Sequence, residues 1–406
     1  MADFARSAHP GVQAQLDRLS MLSPSGDRLG LERTNEILER LGRPQDQLPP
    51  IFHVAGTNGK GSTVAFLRAA LEAAGYAVHA FTSPHLVRFN ERIRIAGKLI
   101  DDEQLAALLT EVLNASAGVE PSFFEVATIV GFLAFARTPA DACILEVGLG
   151  GRLDATNVIE HPLVTGIASL GLDHQHFLGD DIVSIAREKA AIAKLGVPLV
   201  SLAQLAEAEE AIAEVAEERG AHLLLEGRDW TVHPDLNPGL IGTHQRRNAG
   251  LAWAMLAAQD TLDVPHDIFL EAIATARWPA RFQQLRDGPL TRGKATWIDG
   301  AHNAAAAAAL AEVLKERGPM HIVLGILANK DAAAIVGALA PQALSLTFVP
   351  VPDHAHHDPE ELVRKFGGRA TASVEQALAD LPEPRLVAGS LYLAGAVLAA
   401  NDEVPD

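Results

Sequence analysis

Cysteine and long apolar runs are both scarce in this sequence. Its 406 residues include a single cysteine, so the chain cannot form an internal disulfide. That residue, Cys143, lies in the apolar segment 142–145, which predicts a buried, reduced thiol. The longest apolar run, residues 386–400, is interrupted by glycine, serine and tyrosine and is too short to cross a bilayer. The first residues lack the basic-then-apolar pattern of a secretion signal, so we expect a soluble, cytoplasmic protein with no membrane partner.

Basic residues are also few. Lysine and arginine number 33 against 51 aspartate and glutamate residues, which gives a net charge of −18 at pH 7. Nucleic acids bind to faces rich in basic side chains, and this chain nowhere concentrates them. We therefore expect no nucleic-acid partner, and any anionic ligand must be held by local groups.

The apolar residues, 48% of the chain, are numerous enough for two or three domains. Short runs typical of β-strands alternate with longer helical patterns, which favours α/β domains with parallel sheets. The predicted strands are residues 51–54, 142–147, 164–168 and 198–201, followed by 295–298, 321–325, 346–349 and 385–387. The composition shifts near residues 287–289, which predicts one domain over residues 1–285 and a second over 286–406.

A glycine-rich loop follows the first predicted strand. Residues 56–63 read Gly-Thr-Asn-Gly-Lys-Gly-Ser-Thr, and we expect Gly56, Gly59 and Gly61 to adopt positive φ. The N–H groups of such a loop and of the helix after it attract phosphates, and Lys60 adds a positive charge. The loop predicts a nucleoside triphosphate site of a variant class, because Gly61 separates the lysine from the hydroxyl residues. The alternative is a tight strand-to-helix turn without a ligand.

A carboxylate interrupts the predicted strand 142–147. Burial of Glu146 would need a compensating cation, either a metal ion or Arg152. Ser83 and His174 follow two other predicted strands, and ligands of open α/β sheets gather at the carboxyl ends of strands. A hydroxyl, a carboxylate and an imidazole suit Mg²⁺ better than zinc when a nucleotide supplies further oxygens.

Several longer motifs together resemble one family. They occupy residues 56–63, 83–88, 146–157, 172–174 and 188–192 and, further on, 244–248, 278–282, 299–303, 324–331 and 389–393. In order and spacing the chain resembles the folylpolyglutamate synthase/dihydrofolate synthase family of the Mur ligase superfamily. The resemblance implies an N-terminal P-loop ATPase-type domain with a parallel sheet and a smaller, Rossmann-like C-terminal glutamate ligase domain.

The implied activity is an ATP-dependent ligation in folate biosynthesis. The γ-phosphoryl group passes to a carboxylate of a pterin-bearing acid, and the amine of L-glutamate attacks the acyl phosphate. The implied substrates are ATP, L-glutamate, dihydropteroate and reduced folates, and the expected oligomeric state is a monomer. Two alternatives are a Mur-type ligase that joins amino acids to a UDP-linked sugar peptide and a non-catalytic nucleotide-binding regulator. The absence of a central nucleotide-sugar domain opposes the first, and the retained polar motifs oppose the second.

The resemblance also assigns residues to roles. ATP binding is implied for Thr57, Asn58, Gly59, Lys60, Gly61, Ser62, Asn248, Arg281 and Asp299. Two Mg²⁺ ions are implied, with the ligands Ser83, Glu146, His174 and a carbamylated Lys189. Catalytic roles are implied for Lys60, Lys189 and His302. The implied pterin site consists of Arg28, Leu29, Gly30, Leu31, Ser122, Phe123, Phe124, Glu125, Leu153, Asp154 and Ala155.

Two of the pterin-site residues have the chemistry that the role needs. Phe124 offers a stacking face for a flat heterocycle, and Asp154 an acceptor for ring N–H groups. The alternative is that the phenylalanines belong to the core of an amphipathic helix.

The chain departs from the family pattern at Ala191, Ala280 and Ala304, where relatives have glycine, glycine and proline. A loop with His354, His356 and His357 is either a metal site or an ordinary exposed loop.

Overall fold

The computed structural model describes residues 5–22 and 29–405. Within these ranges the chain forms two compact units. The N-terminal unit consists of the residues up to 238 together with 246–276, and the C-terminal unit of residues 239–245 together with those from 277 onward. Residues 277–285 are therefore packed with the second compact unit. The domain boundary predicted after residue 285 stays a prediction.

The N-terminal unit is built on a mainly parallel sheet. Its strands, in the part of the chain that the structure describes, are β1 Ile51–Ala55, β2 Val78–Phe81, β3 Ile93–Ile95, β4 Lys98–Leu99, β5 Ala142–Glu146, β6 Val164–Ile167, β7 Pro198–Ser201 and β8 His222–Leu225. Their order is β4-β3-β2-β5-β1-β6-β7-β8, with β3 and β4 antiparallel at one edge. The central strands are short apolar runs buried on both faces, as expected of parallel strands covered by helices.

The register of the three central strands aligns their carboxyl ends. Val54 in β1 lies opposite Glu146 in β5, and Ala55 lies opposite Ile167 in β6. The loops that follow β1, β5 and β6 therefore emerge side by side, which is where ligands bind in sheets of this kind.

Helices cover this sheet. In the described part of this unit they are α1 Pro10–Leu22, α2 Glu32–Arg40, α3 Lys60–Ala73, α4 Asp102–Ala115, α5 Phe123–Ala136, α6 Gln175–Leu178, α7 Ile182–Ala190, α8 Ala206–Arg219, α9 Thr243–Ala257 from residue 246 onward, and α10 His266–Thr275. Helix α5 is strongly apolar, and its residues 126–135 are buried. Phe132 and Phe135 on this helix belong to the core, so the core interpretation holds for these two phenylalanines.

The C-terminal unit contains a second, smaller sheet. Its strands are β9 Gln283–Gln284, β10 Thr296–Ile298, β11 Met320–Leu324, β12 Ala343–Phe348, β13 Arg369–Ala370 and β14 Arg385–Ala388. They lie in the order β13-β12-β11-β14-β10-β9, and all neighbours are parallel except β9 and β10. The helices α11 Ala304–Arg317, α12 Ala332–Leu339, α13 Pro359–Phe366, α14 Val374–Asp380 and α15 Leu391–Ala400 connect them. The predicted two-part α/β fold is confirmed.

Each predicted strand corresponds to a strand of the structure, within three residues at either end. The strand expected before Ser83, for which no bounds were predicted, is β2. The sequence did not predict β3, β4, β8, β9 or β13, which are strands of two to four residues at or near the sheet edges. Such strands carry too few residues for a periodic pattern to be visible. Cys143 is buried as predicted, and burial raises the pKa of its thiol. No helix among the described residues is long and apolar enough to cross a membrane.

Candidate active site

The loop after β1 has the backbone geometry of a phosphate cradle. Gly56 and Gly59 adopt φ values of +148° and +90°, as predicted. A Cβ atom at Gly56 would lie 2.8 Å from the Cβ of Ala168, so only glycine fits there. Gly61 does not have a positive φ, because it lies in the first turn of α3. That part of the prediction was wrong, since the helix begins at Lys60 and includes Gly61.

The loop is attached to the segment that follows β6. The N–H groups of Thr57 and Asn58 both donate to the carbonyl oxygen of Ser169, over 2.9 and 3.0 Å. The Thr57 hydroxyl donates to the carbonyl of Gly171 over 3.0 Å and accepts from the Gly171 N–H over 3.1 Å. On the opposite side Asn248 packs so closely against Gly59 that a Cβ atom there would overlap its amide. These contacts fix the loop conformation.

Polar groups are concentrated where α3 begins. Lys60 Nζ donates to the carbonyl oxygens of Gly56 and Thr57, over 3.1 and 3.4 Å. The Ser62 hydroxyl is buried, and its oxygen makes no hydrogen bond within the protein. Together with the helix N-terminus, this hydroxyl and the lysine suit an anionic ligand.

Glu146 ends strand β5 and is 4% exposed. The backbone N–H of Ser83 donates to its Oε2 over 3.2 Å, so the structure brings these two predicted metal ligands together. Arg152 forms its ion pair with Glu188, at 2.8 Å, rather than with Glu146. The alternative of an Arg152–Glu146 ion pair was therefore wrong. A buried carboxylate oxygen beside the loop suits a hard cation such as Mg²⁺ or Mn²⁺.

His174, the third predicted metal ligand, lies in the loop after β6. It adopts the left-handed conformation, with φ of +52°, and its N–H donates to Oδ1 of the preceding Asp173 over 2.8 Å. Helix α6 begins directly after it. No group of three or more His, Cys, Asp or Glu side chains placed to hold a metal occurs within residues 5–22 and 29–405. A metal at Glu146 would therefore need further oxygen ligands, which a bound nucleotide can supply.

Lys189 is buried near the end of α7 rather than directed to solvent. Its side chain is 5% exposed, and its Nζ donates to the carbonyl oxygen of Gly56 over 3.0 Å. Burial and the charge of Lys60 lower the pKa of Lys189 from 10.5 to about 7, against opposing contributions from three carboxylates. A buried amine with this pKa is partly neutral at physiological pH, which is the state that reacts with CO₂.

The predicted pterin residues occupy three segments, and Arg28 lies outside the described residues. Leu29, Gly30 and Leu31 precede α2. Ser122 and Glu125 form a capping box at the start of α5, and Arg33 pairs with Glu125 at 2.9 Å. These two side chains therefore also have structural functions. Phe123 lies 5.3 Å from the buried guanidinium of Arg92.

Phe124 is partly buried and packs directly on Gly148, where any Cβ atom would overlap its ring. The ring also forms an edge contact with Phe81, at 5.9 Å between centroids. Leu153 is partly buried and Ala155 is buried in the same loop as Gly148. This brings the Phe124 ring and the loop 148–157 together, as a pterin pocket requires.

The carboxylate of Asp154 is buried and internally bonded. It accepts hydrogen bonds from the N–H groups of Leu149 and Thr156, over 2.8 and 3.0 Å, and from the Thr156 hydroxyl over 2.5 Å. Burial raises its pKa, and these hydrogen bonds oppose the rise. Asp154 thus holds its own loop in shape, which the sequence did not predict.

Within the C-terminal unit, Arg281, Asp299 and His302 lie close in the structure. Asp299 accepts hydrogen bonds from the N–H groups of Phe282 and Ala301, each over 2.8 Å, and burial raises its pKa while Arg281 opposes the rise. Arg281 also packs over Gly300, and the Nδ1 of His302 lies 2.8 Å from the Gly300 carbonyl oxygen.

The histidine loop has no metal geometry. Nδ1 of His354 lies 2.8 Å from the carbonyl oxygen of Pro352, and Nδ1 of His356 lies 2.7 Å from that of His354. Nε2 of His357 lies 2.9 Å from the carbonyl oxygen of Lys330. Each ring is therefore bonded to a backbone carbonyl, which is typical of an ordinary loop.

Sequence reasoning missed His53, which lies in the middle of β1 and is fully buried. Its Nε2 lies 2.8 Å from the Thr156 hydroxyl oxygen. The signal that identified Glu146, a polar residue inside an apolar strand, is present at His53 too and could have found it.

The chain is similar to characterised proteins over most of its length. A dihydrofolate synthase/folylpolyglutamate synthase of Bacillus subtilis is 36% identical over 356 residues, which cover 80% of this chain and 81% of that protein. The profile of the Mur ligase glutamate ligase domain matches residues 280–394.

Solved structures match more completely. Escherichia coli FolC in complex with DHPP and ADP has a TM-score of 0.87 at 32% identity, and the match covers 98% of this chain and 99% of that one. A bifunctional folylpolyglutamate synthase/dihydrofolate synthase of Yersinia pestis, complexed with AMPPNP and Mn ion, has a TM-score of 0.86 at 30% identity, with 98% and 99% covered.

Proposed function

Because this chain belongs to the dihydrofolate synthase/folylpolyglutamate synthase family, we propose that it joins L-glutamate to dihydropteroate and to reduced folates with consumption of ATP. It is an ATP-dependent ligase of folate metabolism. The observation that carries the proposal is the phosphate loop, in which Lys60 and the buried Ser62 hydroxyl lie at the start of α3. The strand that leads into this loop, β1, is the neighbour of β5, which ends at Glu146.

The loop performs the electrostatic part of the reaction. Transfer of the γ-phosphoryl group to a carboxylate requires positioning and neutralisation of charge more than covalent chemistry. The N–H groups at the start of α3 and the ammonium group of Lys60 stabilise the negative charge that spreads over the phosphoryl oxygens. Hydrogen bonds to two loop carbonyls hold Lys60 ready for that role. The glutamate amine then displaces phosphate from the acyl phosphate.

Divalent metal would be held by Glu146, Ser83 and His174, as part of a site completed by nucleotide oxygens. When bound, Mg²⁺ neutralises phosphate charge and polarises the P–O bonds. A second Mg²⁺ requires another anionic ligand, and we assign it to a carbamate on Lys189. The burial of Lys189 beside Gly56 and its lowered pKa support this assignment.

The acid substrate would bind with its pterin ring beside Phe124 and the loop 148–157. Leu29, Gly30, Leu31, Leu153 and Ala155 would complete the apolar lining. The nucleotide contacts of Asn248, Arg281 and Asp299, the catalytic role of His302, the monomeric state and the cytoplasmic location remain predictions that rest on the family resemblance and on composition.

An assay of ATP consumption tests the function. We expect ADP release only when L-glutamate is present together with dihydropteroate or a reduced folate, and with dihydropteroate a product of the mass of dihydrofolate. ADP release with a UDP-linked sugar peptide in place of dihydropteroate would instead identify a Mur-type ligase. Binding of ATP without turnover under any of these conditions would identify a regulator.

A further inference from the structure

His53 is a buried polar residue that the mechanism above does not use. It occupies the central position of β1, opposite Leu145 in β5 and Thr165 in β6, and it is fully shielded from solvent. Burial lowers its pKa to about 3, so the ring is neutral and carries one N–H. Nε2 lies 2.8 Å from the Thr156 hydroxyl oxygen, whereas Nδ1 is buried and has no hydrogen-bond partner.

The hydroxyl of Thr156 determines which group is the donor in its hydrogen bond with His53. Its oxygen lies 2.5 Å from Oδ1 of Asp154, whose carboxylate accepts from it and from two backbone N–H groups. The hydroxyl has one hydrogen, so when it donates to the carboxylate it accepts from His53 Nε2–H. The reverse direction would leave an N–H at Nδ1 buried without an acceptor, which is the costlier arrangement.

The chain of hydrogen bonds ends at the pterin loop. Asp154 Oδ2 accepts from the N–H of Leu149, the residue after Gly148. Gly148 in turn packs against the Phe124 ring. The position of Asp154 therefore determines where the loop meets Phe124.

We propose that His53 is a positioning residue for the pterin pocket, which acts through Thr156 on Asp154 and so holds the loop 148–157 against Phe124. The proposal rests on the proposed function, because it needs the pocket to take the pterin acid. His53 lies three residues before Gly56, so one strand supports the phosphate loop at its end and the pterin loop from its middle.

The test compares Thr156→Val, which removes the hydroxyl, with Thr156→Ser, which keeps it, and adds His53→Phe and the double variant. We expect Thr156→Val and His53→Phe each to raise the KM for dihydropteroate about tenfold, since each removes a hydrogen bond of the chain that ends at the Asp154 carboxylate. The KM for ATP should change by less than about twofold, because the phosphate loop is intact. Thr156→Ser keeps the hydroxyl and should raise the KM for dihydropteroate far less than Thr156→Val does.

The double variant separates this role from a general structural one. If His53 acts through Thr156, His53→Phe should add little to the KM of Thr156→Val. His79→Phe is the matched control, because His79 is another buried histidine, on β2, bonded to the Thr138 carbonyl and stacked on Phe135. It should lower the melting temperature without a selective rise in the KM for dihydropteroate.

Additive effects of the two substitutions, or equal rises in the KM for dihydropteroate and for ATP, would overturn the proposal. If His53→Phe does not fold, nitrogen NMR of the unchanged chain decides, since the Nε2–H tautomer should persist from about pH 5 to about pH 9. An Nδ1–H tautomer would contradict the assigned direction. Failure of the proposed function is distinguishable, because the unchanged chain itself would then not consume ATP with dihydropteroate and glutamate.

Discussion

The side-chain amine of Lys189 donates a hydrogen bond to the backbone carbonyl of Gly56 over 3.0 Å, across 133 residues of sequence. The contact joins the end of α7 to the first residue of the phosphate loop. Lys189 also lies near enough to Lys60 for the two charges to repel, and this repulsion, after burial, is a main cause of its lowered pKa. Two amines therefore share the space beside one loop, and one of them is partly neutral near pH 7.

The neutral amine of Lys189 should react with CO₂. We expect isotopically labelled bicarbonate to enter the protein at this residue, and the occupancy to rise as the pH increases through about 7, where the amine loses its proton. Mg²⁺ should increase the occupancy because it neutralises the new carboxylate. Lys189→Ala should be inactive, and acetate should restore part of the activity. An active, Mg²⁺-loaded protein without label at Lys189 would contradict the assignment.

Lys189 should also make stability depend on pH. In the unfolded chain its pKa is 10.5, and in the folded chain it is about 7, so folding releases a proton between these values. The charged Lys189 lowers the free energy of unfolding most below about pH 7, and this destabilisation disappears as the pH rises toward 10.5. In buffer without Mg²⁺ or bicarbonate, Lys189→Met should raise the melting temperature more at about pH 6 than at about pH 9. An equal rise in melting temperature at the two pH values would show that Lys189 does not change protonation state between them.

Lys60→Ala should leave the fold intact and reduce turnover about a thousandfold or more, because a charge aimed at the transferring phosphoryl group is lost. Circular dichroism checks the fold and ADP release the rate. Lys315→Ala is the control, since that exposed lysine pairs with Glu312 on the surface of α11. An unchanged rate in folded Lys60→Ala would remove the loop from the mechanism.

Glu146→Gln should reduce Mg²⁺-dependent ligation more than about a hundredfold and change the melting temperature little. The amide oxygen can still accept from the Ser83 N–H, and a buried charge is removed. Melting curves with and without Mg²⁺-ATP measure both effects, with the exposed Glu111→Gln as control. A large loss of stability without metal would instead make Glu146 a structural residue.

Gly59→Ala should be more damaging than Gly75→Ala, although the two glycines have φ values of +90° and +93°. Both substitutions impose a left-handed backbone on alanine, which costs about 1 kcal/mol. At Gly75 the new methyl group meets open space, whereas at Gly59 it meets the Asn248 side chain. Because the backbone cost is the same in both variants, the difference between them in melting temperature and in ATP affinity measures the effect of the clash with Asn248. Equal effects of the two substitutions would mean that this contact does not shape the site.

The residues that could be predicted from sequence are those whose type conflicts with their local pattern. Glycines and a lysine after an apolar strand predicted the phosphate loop, and a carboxylate in an apolar strand predicted Glu146. The central strands were predictable for the same reason, because buried parallel strands are continuous apolar runs.

Other features depend on tertiary contacts that no local pattern contains. The burial of Lys189 depends on Gly56, which lies 133 residues away in sequence. The hydrogen bonds of Asp154 are different, because they reach only two and five residues along the chain, and the bond from the Thr156 N–H is a local helix-cap contact. The conformation of Gly61 depends on where α3 begins, which glycine content alone does not determine.

The attachment of Thr57 and Asn58 to Ser169 has a consequence for the thermodynamics of nucleotide binding. Two N–H groups and one hydroxyl of the loop are already bonded to the segment after β6, so the loop is ordered before a ligand arrives. Little conformational entropy is then lost on binding, and the affinity reflects the phosphate contacts themselves. The same order limits adaptability, since a ligand of different shape could be accommodated only by breaking the bonds to Ser169.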